Sequence, residues 1–128
     1  WKSEKAALHM WGDYNQIQQC LINLIFNAME AMPEGGDLII RGGCDPNAER
    51  VWVSISDSGV GIAPQDLPHI YEPFFTTKSE GFGVGLGLSM VYGIIREHRG
   101  EISVQSQEGK GTEFSISLPA APGDRPKE

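Results

Sequence analysis

RVWVSISDSGVGI, residues 50–62, is the stretch from which the fold reads. Its first half alternates strictly, with Val51, Val53 and Ile55 on one face and Trp52, Ser54 and Ser56 on the other, the period of a strand that buries one side. Asp57 continues the odd-numbered, apolar set. The strand therefore ends on a carboxylate aimed at the interior, a costly arrangement unless a donor meets it there. Gly59 and Gly61 follow directly and let the backbone approach a neighbour that a Cβ would hold off. About 25 residues later the chain crowds glycine again in GFGVGLGLS, residues 81–89.

That second turn predicts a helix from Gly85 to Arg99, with Leu88, Val91, Ile94 and Ile95 toward the core and Gly100 as the residue that ends it. Free amides at the start of a glycine-opened helix, at its positive end, favour an anion. Tight helix packing explains one or two of these glycines but not four in the seven residues 81–87. The stretch contains no G-x-G-x-x-G register, and the Gly109-Lys110 pair lacks the upstream glycine of a P-loop, so neither a Rossmann nor a Walker-type site is supported.

Upstream, Asp13 reads as the N-cap of a helix from Tyr14 to about Met32. Ile17, Cys20, Leu21, Leu24, Ala28, Ala31 and Met32 share one face, and Ile22, Phe26 and Met29 cover much of the opposite side. Between them runs a polar strip about 80° wide, made by Gln16, Gln19, Asn23, Asn27 and Glu30. A helix apolar nearly all round is expected to be buried, which would turn the strip toward a cleft; a merely solvated strip is the competing reading. With the two glycine turns, such a cleft suits a nucleotide. Asp57 there is suited to accept a hydrogen bond from an exocyclic amine such as that of adenine, against the commoner fate of an Asp-Ser-Gly triplet, an Asx-turn.

The remaining elements set the fold class. Lys5 to Trp11 is expected as a first short strand, residues 37–42 (DLIIRG) as another, residues 45–48 (DPNA) as a turn and Pro64 as the start of a helix kept to about two turns by Pro68. Residues 71–84 show no period, which reads as a functional lid or a disordered linker, and their aromatics argue against a pure linker. Residues 101–106 and 112–118 alternate and form a hairpin through residues 107–111. Strands in adjacent pairs with helices between them predict an α+β fold, a two-layer α/β sandwich whose single mixed sheet is covered on one face by helices. The boundaries are one domain, residues 1–119, and a disordered tail, residues 120–128.

Composition narrows the partners. A formal net charge of −7 with ten scattered Lys and Arg excludes a nonspecific nucleic-acid binder. Nothing resembles a signal peptide or a membrane span, so a cytoplasmic domain is expected, or the cytoplasmic part of a membrane-anchored sensor. Cys20 and Cys44 have no metal spacing, which fits a reducing compartment. His9, His69 and His98 are dispersed and make neither a zinc site nor a triad.

Five blocks, NLIFNAMEAM (23–32), DSGVGI (57–62), EPFFTTK (72–78), GVGLGLS (83–89) and GKGTEFSISLP (109–119), resemble in order and spacing the N, G1, F and G2 boxes and closing strand of sensor histidine kinases. The resemblance spans nearly the whole chain. It implies the Bergerat ATP-binding fold, shared with DNA gyrase, Hsp90 and MutL, and the cofactors ATP and Mg²⁺. By this resemblance Asn27 ligates Mg²⁺, Asp57 receives the adenine amino group beside Gly59, Gly61 and Ile62, and Thr112 supports Asp57. Tyr71, Phe74, Phe75, Thr76, Thr77 and Lys78 lead into and form the mobile lid, and Gly83, Val84, Gly85, Leu86, Gly87 and Leu88 meet the phosphates.

Two departures carry consequences. Glu30 stands where many members of the family have Lys, which leaves Lys78 to supply the missing phosphate-neutralising charge. Asn23 stands where gyrase-like ATPases place a Glu general base; an amide cannot deprotonate water, so transfer to a protein acceptor is favoured over hydrolysis. Asn23, Asn27 and Lys78 are thus the expected catalytic residues. The implied activity is phosphorylation of a His on a separate dimerisation and phosphoacceptor domain, with a response regulator downstream. The full-length protein is expected to be a homodimer and this piece a monomer. An ATPase clamp or an anti-sigma serine kinase is the alternative. The PFFTTK lid most resembles the nitrogen-regulation type of histidine kinase.

Overall fold

The computed structural model describes residues 14–45, 49–73 and 87–119. Its elements run α1 (Tyr14–Glu30), β1 (Leu38–Asp45), β2 (Arg50–Asp57), a 3₁₀ turn (Leu67–His69), α2 (Gly87–Glu97), β3 (Glu101–Gln107) and β4 (Gly111–Pro119). Two hairpins, β1 with β2 and β3 with β4, join edge to edge in a four-stranded sheet of order β1-β2-β4-β3. The α+β expectation, with helices on a single sheet, is met. Every pairing among the described residues is antiparallel, and the first strand expected at Lys5 to Trp11 lies outside them. The crossover through α2 does lay β3 parallel to β2, but β4 folds back between them and pairs with both. The first strand, the Asp13 cap, most of the turn at 45–48, the segment 74–86 and the tail expected at 120–128 lie outside the described residues.

The core forms where α1 and α2 meet the sheet. Cys20 and Leu24 of α1 and Val91 and Ile95 of α2 are the largest fully buried side chains, and Val51, Ile55, Phe114, Ile116 and Leu118 face them from β2 and β4. Cys20 is therefore a core residue, while Cys44 is exposed on β1, and both thiols are free. Ile22, Phe26 and Met29 are 38%, 58% and 53% exposed, against the expectation of a helix buried nearly all round. A two-layer structure gives α1 one covered side, taken by Cys20, Leu24 and Ala28, and the opposite stripe has no third layer to bury it.

Local chemistry explains the shifted boundaries. α1 stops at Glu30, and Ala31 and Met32 close it with bonds to Ala28 and Met29 carbonyls, 3.2 and 3.1 Å, because Pro33 biases Met32 away from helical backbone. The predicted two-turn helix at 64–70 is instead a run of i→i+3 bonds: Asp66 to Ala63, His69 to Asp66 and Glu72 to His69, each 2.9 Å. Pro68 has no N–H to continue an α-helical ladder there. β1 runs on to Asp45 through Gly42 and Gly43, since the Trp52 ring lies over Gly43, where a Cβ would come within 2.9 Å of it.

The end of α2 reassigns one residue. Arg99, not Gly100, takes the left-handed backbone, φ 63°. Gly100 N–H then bonds Ile95 O at 2.8 Å and Arg99 N–H bonds Arg96 O at 3.0 Å, a Schellman closure. Glycine at 100 answers a different need: a Cβ would sit 2.6 Å from both Leu118 Cδ2 and Ser117 O, so the chain must pass tightly under β4.

Candidate functional site

The inward carboxylate predicted at residue 57 is where the strand alternation puts it, and the structure supplies its donors. Asp57 pairs with Thr112 across β2 and β4, and Thr112 pairs with Ser106 across β4 and β3. Three polar side chains thus form one row at the end of an otherwise apolar sheet face. Gly59 N–H donates to Asp57 Oδ1 at 2.8 Å, so the Asx-turn does form, and Thr112 N–H also donates to the carboxylate. Burial nevertheless raises the Asp57 carboxyl above its ordinary value, and the Gly59 and Thr112 amides offset only part of that. The site holds a carboxylate that is incompletely solvated and still has acceptor capacity.

Ser106 was not legible as a site residue, yet it ties the row to the loop. Its hydroxyl accepts from Ile62 N–H at 2.7 Å, donates to Gly111 O at 3.1 Å and meets Thr112 Oγ1 at 2.8 Å. The available signal was a hydroxyl in the inward register of β3, after Ile102 and Val104. Ser58, equally unremarked, accepts from Asp37 N–H at 2.9 Å and its own N–H bonds Asp37 O at 3.2 Å, fastening the loop to the start of β1.

The glycines of residues 57–62 seat the loop against its neighbours. A Cβ on Gly59 would lie 2.2 Å from Ala31 O, and one on Gly61, at φ 76°, 2.3 Å from Gln107 O. Their missing side chains are used to wedge the loop between the end of α1 and the β3–β4 hairpin. Val60 N–H bonds Ala31 O at 3.0 Å on one side, and Gly109 N–H bonds Val60 O at 2.8 Å on the other. Gly111, at φ 121°, lets β4 start against Asp57 O, which a Cβ would approach to 2.0 Å.

This clamp brings the loop beside the polar strip of α1. Ala31, whose carbonyl receives the loop, itself donates to Asn27 O at 3.1 Å, so Asn27 stands one helical turn from the contact and Asn23 one turn further. Asn27 and Asn23 are half-buried, whereas Gln16, Gln19 and Glu30 are exposed. Gln19 Nε2 donates to Asn23 Oδ1 at 3.4 Å, but Asn23 Nδ2 is buried without a partner. An orphaned amide donor in a cleft is a place for an acceptor oxygen.

Tyr71 belongs to a different contact. Its ring stacks on Tyr92 of α2, centroids 5.0 Å apart, and the Arg96 guanidinium carbon lies 5.9 Å from the Tyr92 ring centroid. Its hydroxyl is buried without a partner and is pushed up to about 12 by burial and by Tyr92. Gly87 and Leu88 open α2, with Leu88 packed against the core. Phe75, Thr76, Thr77, Lys78, Gly83, Val84, Gly85 and Leu86 lie outside the described residues.

Among the described residues no group of three His, Cys, Asp or Glu could hold a metal. The donors at hand are amides, with Asn27 the closest to the loop. Such a set fits Mg²⁺ accompanied by a polyphosphate, whose oxygens and waters complete the octahedron, and does not fit a bare cation site. No helix among the described residues is long and apolar enough to cross a membrane.

The family described as histidine kinase-, DNA gyrase B-, and HSP90-like ATPase matches residues 12–122. Sporulation kinase E of Bacillus subtilis is 46% identical over 105 residues, 82% of this chain and 14% of its own length. The chain thus spans a small part of that relative. The catalytic domain of histidine kinase ThkA, in a nucleotide-free form, superposes with a TM-score of 0.79 at 38% identity, covering 93% of this chain and 77% of that one. Full-length ShkA in complex with AMPPNP gives 0.78 at 30% identity, over 90% of this chain and 24% of that one. The nitrogen-regulation likeness of residues 72–78 rests mainly on positions outside those described and gains nothing from these relatives. A half-buried Asp on a glycine-clamped loop, the adjoining Asn strip and these likenesses agree, and the chain belongs to the histidine kinase-, DNA gyrase B- and HSP90-like ATPase family as a domain of the sensor histidine kinase kind.

Proposed function

We propose that this domain binds ATP with Mg²⁺ between the Asn strip of α1 and the loop at residues 57–62, and passes the γ-phosphoryl group to a His on a separate dimerisation and phosphoacceptor domain. The observation that carries the reading is Asp57: a carboxylate raised above its ordinary value by burial, oriented by Gly59 and Thr112, with capacity left for one more donor. The adenine amino group is such a donor. Asn27 would hold Mg²⁺ together with phosphate oxygens, and the metal would supply charge neutralisation there. The unpartnered Asn23 Nδ2 is a donor for a phosphate oxygen or a water. Asn23 cannot serve as a base, which favours transfer over hydrolysis. Lys78 is the candidate for the cation that Glu30 does not provide. A sensor kinase of this kind acts as a homodimer and passes its phosphoryl group on to a response regulator.

Titration with a fluorescent ATP analogue and Mg²⁺ tests the binding half. Asp57→Asn and Asn27→Ala each should weaken it by about tenfold or more, the loss of one good polar contact. With labelled ATP and the phosphoacceptor domain added as a second chain, acid-labile, base-stable label should appear on that chain. Release of free phosphate alone would instead favour the ATPase alternative, and no nucleotide binding at all would end the reading.

A further inference from the structure

The polar row at the end of the sheet has a direction as well as a composition. Ser106 Oγ carries one hydrogen and two lone pairs. One lone pair takes Ile62 N–H at 2.7 Å, and the loop that brings this amide is seated by Gly61 against Gln107 O. The hydrogen goes to Gly111 O at 3.1 Å, since a carbonyl can only accept and two oxygens at that separation with no hydrogen between them repel. The 2.8 Å contact between Ser106 Oγ and Thr112 Oγ1 then takes its hydrogen from Thr112. Thr112 is 6% exposed, so bulk water does not scramble the arrangement.

Thr112 thereby gives its only hydroxyl hydrogen to Ser106, away from Asp57. Asp57, its cross-strand neighbour, is an acceptor as well. The amide donors of the row are already engaged: Gly59 N–H on Asp57 Oδ1 at 2.8 Å, Thr112 N–H on the same carboxylate and Ile62 N–H on Ser106. What the side chains of the row offer a ligand is an edge of acceptors. A 6-amino purine has hydrogens for such an edge. A 6-oxo purine turns lone pairs toward it, and a buried polar mismatch of that kind discriminates strongly.

We propose that Ser106 is a positioning residue for base selection: by accepting the Thr112 hydroxyl hydrogen it keeps Thr112 an acceptor beside Asp57, and so sets the preference of the site for 6-amino over 6-oxo purine nucleotides. This rests on the ATP reading above for the ligand. Ser106 acts through Thr112 and not on the nucleotide itself. Without the Ser106 oxygen, the Thr112 hydrogen is released toward Asp57 or toward a ligand oxygen. In either case the row loses an acceptor, and a 6-oxo group is repelled less.

The test titrates ATP and ITP, whose bases bear an amino and an oxo group at the same carbon, into the unaltered chain, Ser106→Ala, Ser106→Cys and Ser106→Thr. Binding is measured by calorimetry with Mg²⁺ present, and the urea midpoint of each protein beside it. A role confined to stability lowers the midpoint and moves both affinities together. A positioning role changes their ratio. The preference of the unaltered chain for ATP should narrow by about tenfold or more in Ser106→Ala, the loss of one polar match, and return to within about twofold of the parent in Ser106→Thr, which restores the hydroxyl. Ser106→Cys keeps the bulk with a weak acceptor and should narrow the ratio in the same direction, so the test stands even where the alanine variant does not fold. An ATP-to-ITP preference that stays within about twofold of the parent in the alanine or cysteine variant overturns the proposal and leaves the ATP reading standing. So does a narrowed preference that Ser106→Thr fails to restore, or an unaltered chain that binds ATP and ITP alike. An unaltered chain that takes up neither nucleotide overturns both readings.

Discussion

Replacing Gly59 by Ala adds one methyl group at a tight seam in the site. That Cβ would stand 2.2 Å from Ala31 O, 2.7 Å from Ala31 C and 2.8 Å from Ala31 Cβ. A carbon and a carbonyl oxygen rest at roughly 3.3 Å, so the loop and the end of α1 must part by about 1 Å. The obstacle is backbone, which no rotamer change can move. Parting by that amount forfeits the 3.0 Å bond from Val60 N–H to Ala31 O, a loss of about 1 kcal/mol. Overpacking adds about 1–3 kcal/mol. The sum, about 2–4 kcal/mol, should appear as a lower urea midpoint at unchanged m-value. Because Gly59 N–H also orients Asp57 Oδ1 at 2.8 Å, nucleotide affinity should fall in the fraction that stays folded. A Gly59→Ala protein within about 0.5 kcal/mol of the parent would refute the argument that this glycine seats the loop.

Three further outcomes are expected. Ser106→Ala strips the acceptor from Ile62 N–H and the partner from Thr112 Oγ1, and should cost about 1–3 kcal/mol by denaturation; a neutral result would show that the row is not a structural tie. Asp57 has its carboxyl raised above 3.8 in the fold, so its contribution to stability is present below 3.8 and is lost as pH rises through the raised value. Asp57→Asn should therefore be at least as stable as the parent at pH 7 while binding nucleotide worse, and its advantage should shrink on acidification; a parent more stable than the variant at pH 7 contradicts the burial argument. Gly93 lies exposed within α2, with nothing within 4 Å of a Cβ there, so Gly93→Ala should stabilise by about 0.5–1 kcal/mol and raise Tm by a few degrees; no rise would mean that this position has a second role.

The elements with a strict period were legible before any tertiary information. β2 begins and ends at the expected residues, Arg50 and Asp57, because alternation and a terminal Asp-Ser-Gly fix both its faces and its stop. The hairpin of β3 and β4 likewise differs from expectation by a residue or so at each end, since Gly109 and Gly111 mark the turn. Less legible were features decided by contact at a distance. The strand expected to end at Gly42 runs on through Gly43, because Trp52 from the next strand fills the space above that glycine. Ser106 reads as one serine among several until the register puts it opposite Thr112 and under Ile62.

The sequence by itself determined the family, the α+β class, the helix bearing Asn23 and Asn27, and Asp57 as an inward carboxylate, since these depend on residue type and on periods within one element. Only the tertiary structure decided that β4 is inserted antiparallel between β2 and β3, that Gly59 and Gly61 press against Ala31 and Gln107, and that Ile22, Phe26 and Met29 stay in solvent. Each of these is a relation between segments far apart in the chain. Periodicity says that an α-helix has an apolar side; which of two apolar sides is covered depends on how many layers the fold stacks against it.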